Sequence, residues 1–157
     1  MLNAYWAKVV PVVADEDGMI ERFAGDAVMV VFNAAVDQPD HALRAARAAL
    51  AFADASEAVA AGRPDWPRFR VGVNTGPAVI GNVGAAQQQS FTAIGDTTNL
   101  AARLQAVAEP GRVVVGPATR TALAGRAVLE PLGPLELKGK SEPVEAFVLV
   151  RLNGDSG

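Results

Sequence analysis

Three stretches of the chain carry side chains whose types and spacing could do chemistry. In the first, Gly18 to Phe32, two apolar runs, Met19 to Phe23 and Ala27 to Phe32, flank a tight Ala24-Gly25-Asp26 connection. That is the signature of a β-hairpin with a glycine in its turn. Asp26 stands at the tip. A carboxylate fixed between two strands is well placed to bind a metal ion, because a rigid sheet spares the site the ordering of a loop. The plain alternative is an aspartate that only completes the turn. In the second stretch, Phe91 to Gln105, Asn99 and Arg103 are four apart on a helix that begins near Thr97, and so share a face. A guanidinium offering paired donors, beside an amide able to orient a hydroxyl, suits a phosphate ester. A solvated helix face with an ordinary arginine is the alternative. Asp96 suits the N-cap of this helix. In the third, Leu137-Lys138-Gly139-Lys140-Ser141 sets two lysines around a glycine, either to hold phosphate or as a common surface turn. No stretch matches a P-loop or a dinucleotide fingerprint.

The surrounding elements must place these residues. Leu2, Tyr5, Trp6, Val9, Val10 and Val13 follow helical spacing, and Pro11 predicts a kink or an end. Asp37-Gln38-Pro39-Asp40 is a helix-start signal for an alanine-rich helix from His41 to about Ala61, with Leu43, Ala46, Leu50, Ala53 and Val59 on its apolar face. After a Gly62 to Pro67 loop, Phe69 to Asn74 alternates as a strand, and Ala78 to Val83 with Gln89 to Ile94 read as a second hairpin. The helix Thr97 to Ala108 should bury Leu100, Leu104 and Val107. A strand at Arg112 to Val115, a short helix at Pro117 to Leu123 and three short strands near Val128 to Leu129, Leu135 to Leu137 and Val144 to Leu152 follow. The order predicts an α+β fold, an antiparallel-rich sheet with helices packed on one side. At 157 residues the chain is expected to be a single domain over 1–157.

Composition narrows the function. Half the residues are hydrophobic and 20% are charged, as in ordinary globular proteins. A net charge of −3 offers no electrostatic footprint for nucleic acid. The absence of cysteine excludes disulfides and thiolate metal sites and agrees with a reducing compartment. His41 is the lone histidine, follows Asp40 at a helix start, and gives little support to a Ser-His-Asp triad or a histidine-rich metal site. No apolar run approaches membrane-spanning length and the start lacks the basic flank of a signal peptide. The expectation is a cytoplasmic domain without membrane contact of its own, with a longer or membrane-anchored parent left open.

Taken together, Arg22 to Phe32, Asp40-His41-Ala42, Arg70 to Gly76, Ile80 to Gly84, Phe91 to Gln105 and Leu137-Lys138-Gly139 resemble, in order, the blocks of the class III adenylate and guanylate cyclase catalytic domain. The resemblance implies a ferredoxin-like α+β core and a head-to-tail homodimer with its active sites at the subunit interface. It implies a reaction, ATP to 3′,5′-cyclic AMP and pyrophosphate, with magnesium or manganese as cofactor. By it Asp26 looks like the second of two metal-binding aspartates, Asn99 like the residue that orients the ribose, and Arg103 like the one that stabilises the transition-state phosphate. Lys138 looks like the triphosphate lysine, with Lys140 as the other register. Two base-reading positions depart from the commonest pattern: the family's lysine is Arg22 and its aspartate is Thr92, a replacement known in a bacterial and bicarbonate-responsive subgroup. A threonine hydroxyl donates or accepts, so it fits adenine without requiring it. The resemblance favours ATP over GTP and leaves guanylate cyclase as an alternative. The family's first strand, with its first metal aspartate, is not found before Asp15. That leaves two expectations, a truncated version of a longer cyclase or a non-catalytic nucleotide-binding and dimerisation module that regulates a partner.

Overall fold

The computed structural model describes residues 1–83, 90–137 and 140–154, with side chains at all of these except 79–83 and 90–94. The chain opens with helix α1 (Leu2–Asp15) and a hairpin of β1 (Met19–Ala24) and β2 (Ala27–Val31). Helix α2 (His41–Ala60) leads to β3 (Val71–Val73), then to a second hairpin of β4 (Val79–Val83) and β5 (Ser90–Ile94). Helix α3 (Asp96–Val107), β6 (Val113–Val115), α4 (Pro117–Ala122), β7 (Ala127–Leu135) and β8 (Val144–Leu152) follow. Four strands form a sheet in the order β3-β6-β8-β7, parallel between β3 and β6 and antiparallel elsewhere, while β1-β2 and β4-β5 are separate antiparallel ladders. The expected α+β class with antiparallel-rich sheets is the fold observed.

Strand β6 divides the core. Val113 and Val115 face a cluster with Ala46, Ala49 and Ala53 of α2, whereas Val114 faces Leu100 and Leu104 of α3. Side chains of a strand alternate between faces, so α2 and α3 lie on opposite faces of the sheet, not on one side as the element order suggested. All three valines are buried. An unbroken apolar run of this kind is what a strand covered on both faces requires.

Three local expectations change. Helix α1 continues through Pro11, which lies on the exposed side, because Tyr5, Val9 and Val13 on the other side are buried and packing holds the helix past the lost hydrogen bond. The two short strands expected near Val128 and Leu135 are one strand, β7, with register shifts at Val128/Leu129 and Pro131/Gly133. β7 is an edge strand, the place in a sheet where proline is tolerated, and Gly133 takes φ 95° at the irregularity. In α3 the buried residue of the last turn is Ala108, just past its end, and Val107 is 39% exposed.

A polar clasp ties the turn after α1 to α2. Arg44 bonds Asp40 Oδ1 at 2.9 Å and Asp17 Oδ2 at 3.2 Å, and Arg47 bonds Glu16 Oε2 at 2.9 Å. The Arg44 guanidinium holds the Asp40 carboxyl below the usual aspartate value. Among the described residues no helix is long and apolar enough to cross a membrane.

Candidate active site

The first hairpin closes with Ala24 opposite Ala27, so Gly25 and Asp26 are the two loop residues. Gly25 has φ 62° and Asp26 has no positive φ, the pattern of a two-residue turn that matches strand twist and needs glycine first. Asp26 is exposed at the tip, as its position in the sequence predicts. Arg22 lies on β1 opposite Met29, its side chain 62% exposed. The register shifts between Ile20 and Arg22, which makes Glu21 the extra residue of a bulge. The Glu21 side chain is buried, its Oε2 has no hydrogen-bond partner among the described residues, and Arg22 Nε lies 3.3 Å from it. An ionised carboxylate in that setting leans on its charged neighbour. Sequence reasoning missed Glu21, because a bulge has no period to read.

Helix α3 presents the second group. Burial of Leu100, Leu104 and Ala108, four residues apart, fixes its inner face. Asn99 is then exposed and Arg103 half-buried, one turn apart on the outer side. Arg103 makes no hydrogen bond or ion pair among the described residues, so its five donors are available to an anion. The first turn of α3 is wrapped by the Asn74 to Pro77 segment. Asn74 Nδ2 donates to Thr97 O at 3.1 Å and Thr97 Oγ1 donates to Pro77 O at 2.6 Å. A Cβ at Gly76 would stand 2.7 Å from Thr97 Oγ1, so the close approach requires glycine. Nearby, the hydroxyls of Thr75 and Thr119 are hydrogen-bonded at 2.8 Å.

Asp96 does not act as the expected N-cap. Gly95 holds that position with φ 140°, and Asp96 is the first helical residue. Its carboxylate instead accepts a hydrogen bond from Lys140 Nζ. Lys138 itself lies outside the described residues. Thr92 belongs to β5, paired with Gly81, and its side chain lies outside the described set.

The structure thus places Arg22 and Asp26 on one hairpin and Asn99 and Arg103 on one helix. No hydrogen bond or ion pair among the described residues joins the two pairs. Nor do three histidine, aspartate or glutamate side chains converge among the described residues. Asp26 presents a single exposed carboxylate, a hard oxygen donor of the kind that magnesium-type ions accept.

Residues 1–151 match the family model described as the adenylate and guanylate cyclase catalytic domain. The chain is 38% identical over 157 residues to Adenylate cyclase 1 of Rhizobium meliloti (strain 1021), an alignment covering 96% of this chain and 24% of that protein. It is 31% identical over 157 residues to Guanylate cyclase soluble subunit beta-2 of Rattus norvegicus, covering 98% of this chain and 23% of that one. The chain thus spans only a minor part of the length of both curated relatives. The crystal structure of the adenylyl cyclase CyaB from P. aeruginosa matches with a TM-score of 0.89 at 28% identity, over 99% of this chain and 83% of that chain.

Proposed function

The chain belongs to the adenylate and guanylate cyclase catalytic domain family, and from that premise we propose that it converts ATP to 3′,5′-cyclic AMP and pyrophosphate. The ribose 3′-oxygen forms a bond to the α-phosphorus, the bond from that phosphorus to the α,β-bridging oxygen breaks, and the hydroxyl proton leaves to solvent. Asn99 orients the ribose so that the 3′-oxygen faces the phosphorus in line with the leaving group. Arg103 directs its donors at the α-phosphate oxygens, where charge grows in the transition state. Lys138 holds the triphosphate, and Arg22 and Thr92 contact the base. Asp26 would hold magnesium or manganese, whose charge, when bound, neutralises the triphosphate and the departing pyrophosphate. In this proposal Asp26 serves the site of one protomer and the α3 residues complete it from the other, in a head-to-tail homodimer. The placement of the two pairs on different elements, with no hydrogen bond or ion pair between them among the described residues, is in keeping with that arrangement. A cytoplasmic location belongs to the same reading, since the substrate is ATP.

The observation that carries the proposal is Arg103, a half-buried guanidinium without an ion pair among the described residues, one helical turn beyond an exposed asparagine. ATP is favoured over GTP by the 38% identity to an adenylate cyclase against 31% to a guanylate cyclase subunit. The test is to incubate the protein expressed from its complete coding sequence with ATP or GTP and manganese or magnesium, and to measure cyclic nucleotide and pyrophosphate. Cyclic AMP that disappears in Arg103→Ala is expected. Cyclic GMP alone transfers the proposal to guanylate cyclase. No cyclic nucleotide at high protein concentration overturns it.

One observation favours a second reading, a non-catalytic module that binds nucleotide or dimerises to regulate a partner. Asp26 belongs to no group of three or more histidine, aspartate or glutamate side chains among the described residues. Calorimetric titration with ATP and metal, together with sedimentation, decides it. Absence of both binding and self-association rejects this reading.

A further inference from the structure

We propose that Glu21 is a positioning residue for Arg22, its buried carboxylate holding the Nε edge of the guanidinium so that the terminal amino groups are left to meet hydrogen-bond acceptors of a purine base. That the ligand is a purine nucleotide rests on the cyclase reading above; the pairing itself rests on geometry. Neighbours on a regular strand point to opposite faces, so Glu21 and Arg22 would not ordinarily touch. The bulge in β1 changes that. Ile20 and Phe23, three residues apart, line one apolar pocket with Trp6 and Val28, which a regular strand does not allow. The ladder pairs Ile20 with Val30 and Arg22 with Met29, so the inserted residue that restores the alternation is Glu21. Its side chain is thereby brought to that of Arg22, with Oε2 3.3 Å from Nε.

The two partners are unequally covered, with the Glu21 side chain only 3% exposed. Its Oε2 has no hydrogen-bond partner among the described residues, and the cation beside it is Arg22. A buried carboxylate without a cation is costly, so Glu21 favours those arrangements of the long Arg22 side chain that keep Nε close. The guanidinium is planar and carries its donors in a rigid fork. Holding its Nε edge therefore sets the direction of the rest. Orientation matters more for this fork than for the point charge of a lysine. The Arg22 side chain makes no hydrogen bond among the described residues, and a guanidinium has donors but no acceptor. Its terminal amino groups thus suit purine acceptors, N7 of adenine or O6 and N7 of guanine.

The variants are Glu21→Gln, Arg22→Met and the two combined, in protein expressed from its complete coding sequence. Without any nucleotide, Arg22→Met should lower Tm by about 2–4 °C although that side chain is largely exposed, because it strands the Glu21 carboxylate. The combined variant should recover most of the loss. Binding of ATP and of inorganic tripolyphosphate, which has no base, is then measured by calorimetry. Glu21→Gln should weaken ATP about two- to fivefold, leave tripolyphosphate unchanged, and add nothing once Arg22→Met is present. If tripolyphosphate weakens along with ATP, the pair serves the phosphates or the fold, and the proposal falls. It also falls if Glu21→Gln weakens ATP equally with and without Arg22, or if Arg22→Met leaves Tm unchanged. Should the unaltered protein bind no ATP, the cyclase reading fails and the purine purpose with it, while the Tm comparison alone still decides whether Glu21 holds Arg22.

Discussion

A Cβ placed on Gly72 of β3 would run into the carbonyl oxygen of Ala101 in α3, and into the Gln105 amide nitrogen beside it. Strand and helix therefore touch backbone to backbone, with no side chain between them. That contact sets how far Asn99 and Arg103, on the outer side of the same helix, stand from the sheet. Gly72→Ala is expected to push α3 outward at a cost of about 1–3 kcal/mol. Tm should fall by several degrees, and cyclase activity should fall further than the loss of folded protein explains. A melt unchanged from the unaltered protein would show that helix and strand separate freely.

Asn99→Ala and Arg103→Ala are expected to lower kcat by about 100- to 1,000-fold, the range seen when a donor aimed at developing charge is removed. Both side chains lie off the buried face of α3, so folding stability should change by no more than about 0.5 kcal/mol. Steady-state kinetics alongside thermal melts separate the two effects. Equal loss of stability and turnover would assign these residues to the fold instead.

Leu104 is fully buried and Val107 is 39% exposed, although their spacing first suggested one common inner face. Leu104→Ala should destabilise by about 2–5 kcal/mol, and Val107→Ala by less than about 0.5 kcal/mol. Urea unfolding of the two variants measures the difference directly.

The clasp between Asp40 and Arg44 gives a pH dependence with a defined sign. Arg44 holds the folded Asp40 carboxyl below its ordinary value of 3.8. A group whose pKa is depressed on folding lends stability above its unfolded pKa, and that stability is lost as pH falls through the folded one. The unaltered protein should therefore be more stable than Asp40→Asn near neutrality, with the gap closing below about pH 4. Denaturant melts from about pH 6 to about pH 3 measure it. A gap that widened in acid would reverse the assignment.

Local chemistry made much of this legible. The first hairpin could be read because a Gly-Asp pair between two apolar runs specifies its own turn, and the helices could be read because alanine content and i, i+4 spacing need no distant partner. What depends on remote contacts was hidden. Asp96 has the side chain of a helix cap, but its carboxylate is taken by Lys140, 44 residues on. Pro131 and Gly133 look like strand breakers until β7 proves to be an edge, where they are tolerated. The bulge that buries Glu21 depends on its pairing with β2. For the candidate site, residue types and spacing already set Asp26 on a hairpin and Asn99 with Arg103 on a helix, while the buried Glu21 beside Arg22 emerged only from the fold.

The chain's two tryptophans both belong to one aromatic group. Trp6 of α1 lies 5.1 Å from the Phe23 ring and 5.7 Å from that of Phe69, and Trp66 lies 5.7 Å from Tyr5 with the Arg63 guanidinium 4.1 Å from its own ring. No ring contact among the described residues reaches α3. Ultraviolet emission from this molecule is thus a signal from one pole, sensitive to how α1 seats on the first hairpin and silent about the helix that carries Asn99 and Arg103. Any quenching or shift of that emission on adding nucleotide would report an event at the hairpin end, and a single tryptophan introduced near α3 would supply the missing second channel.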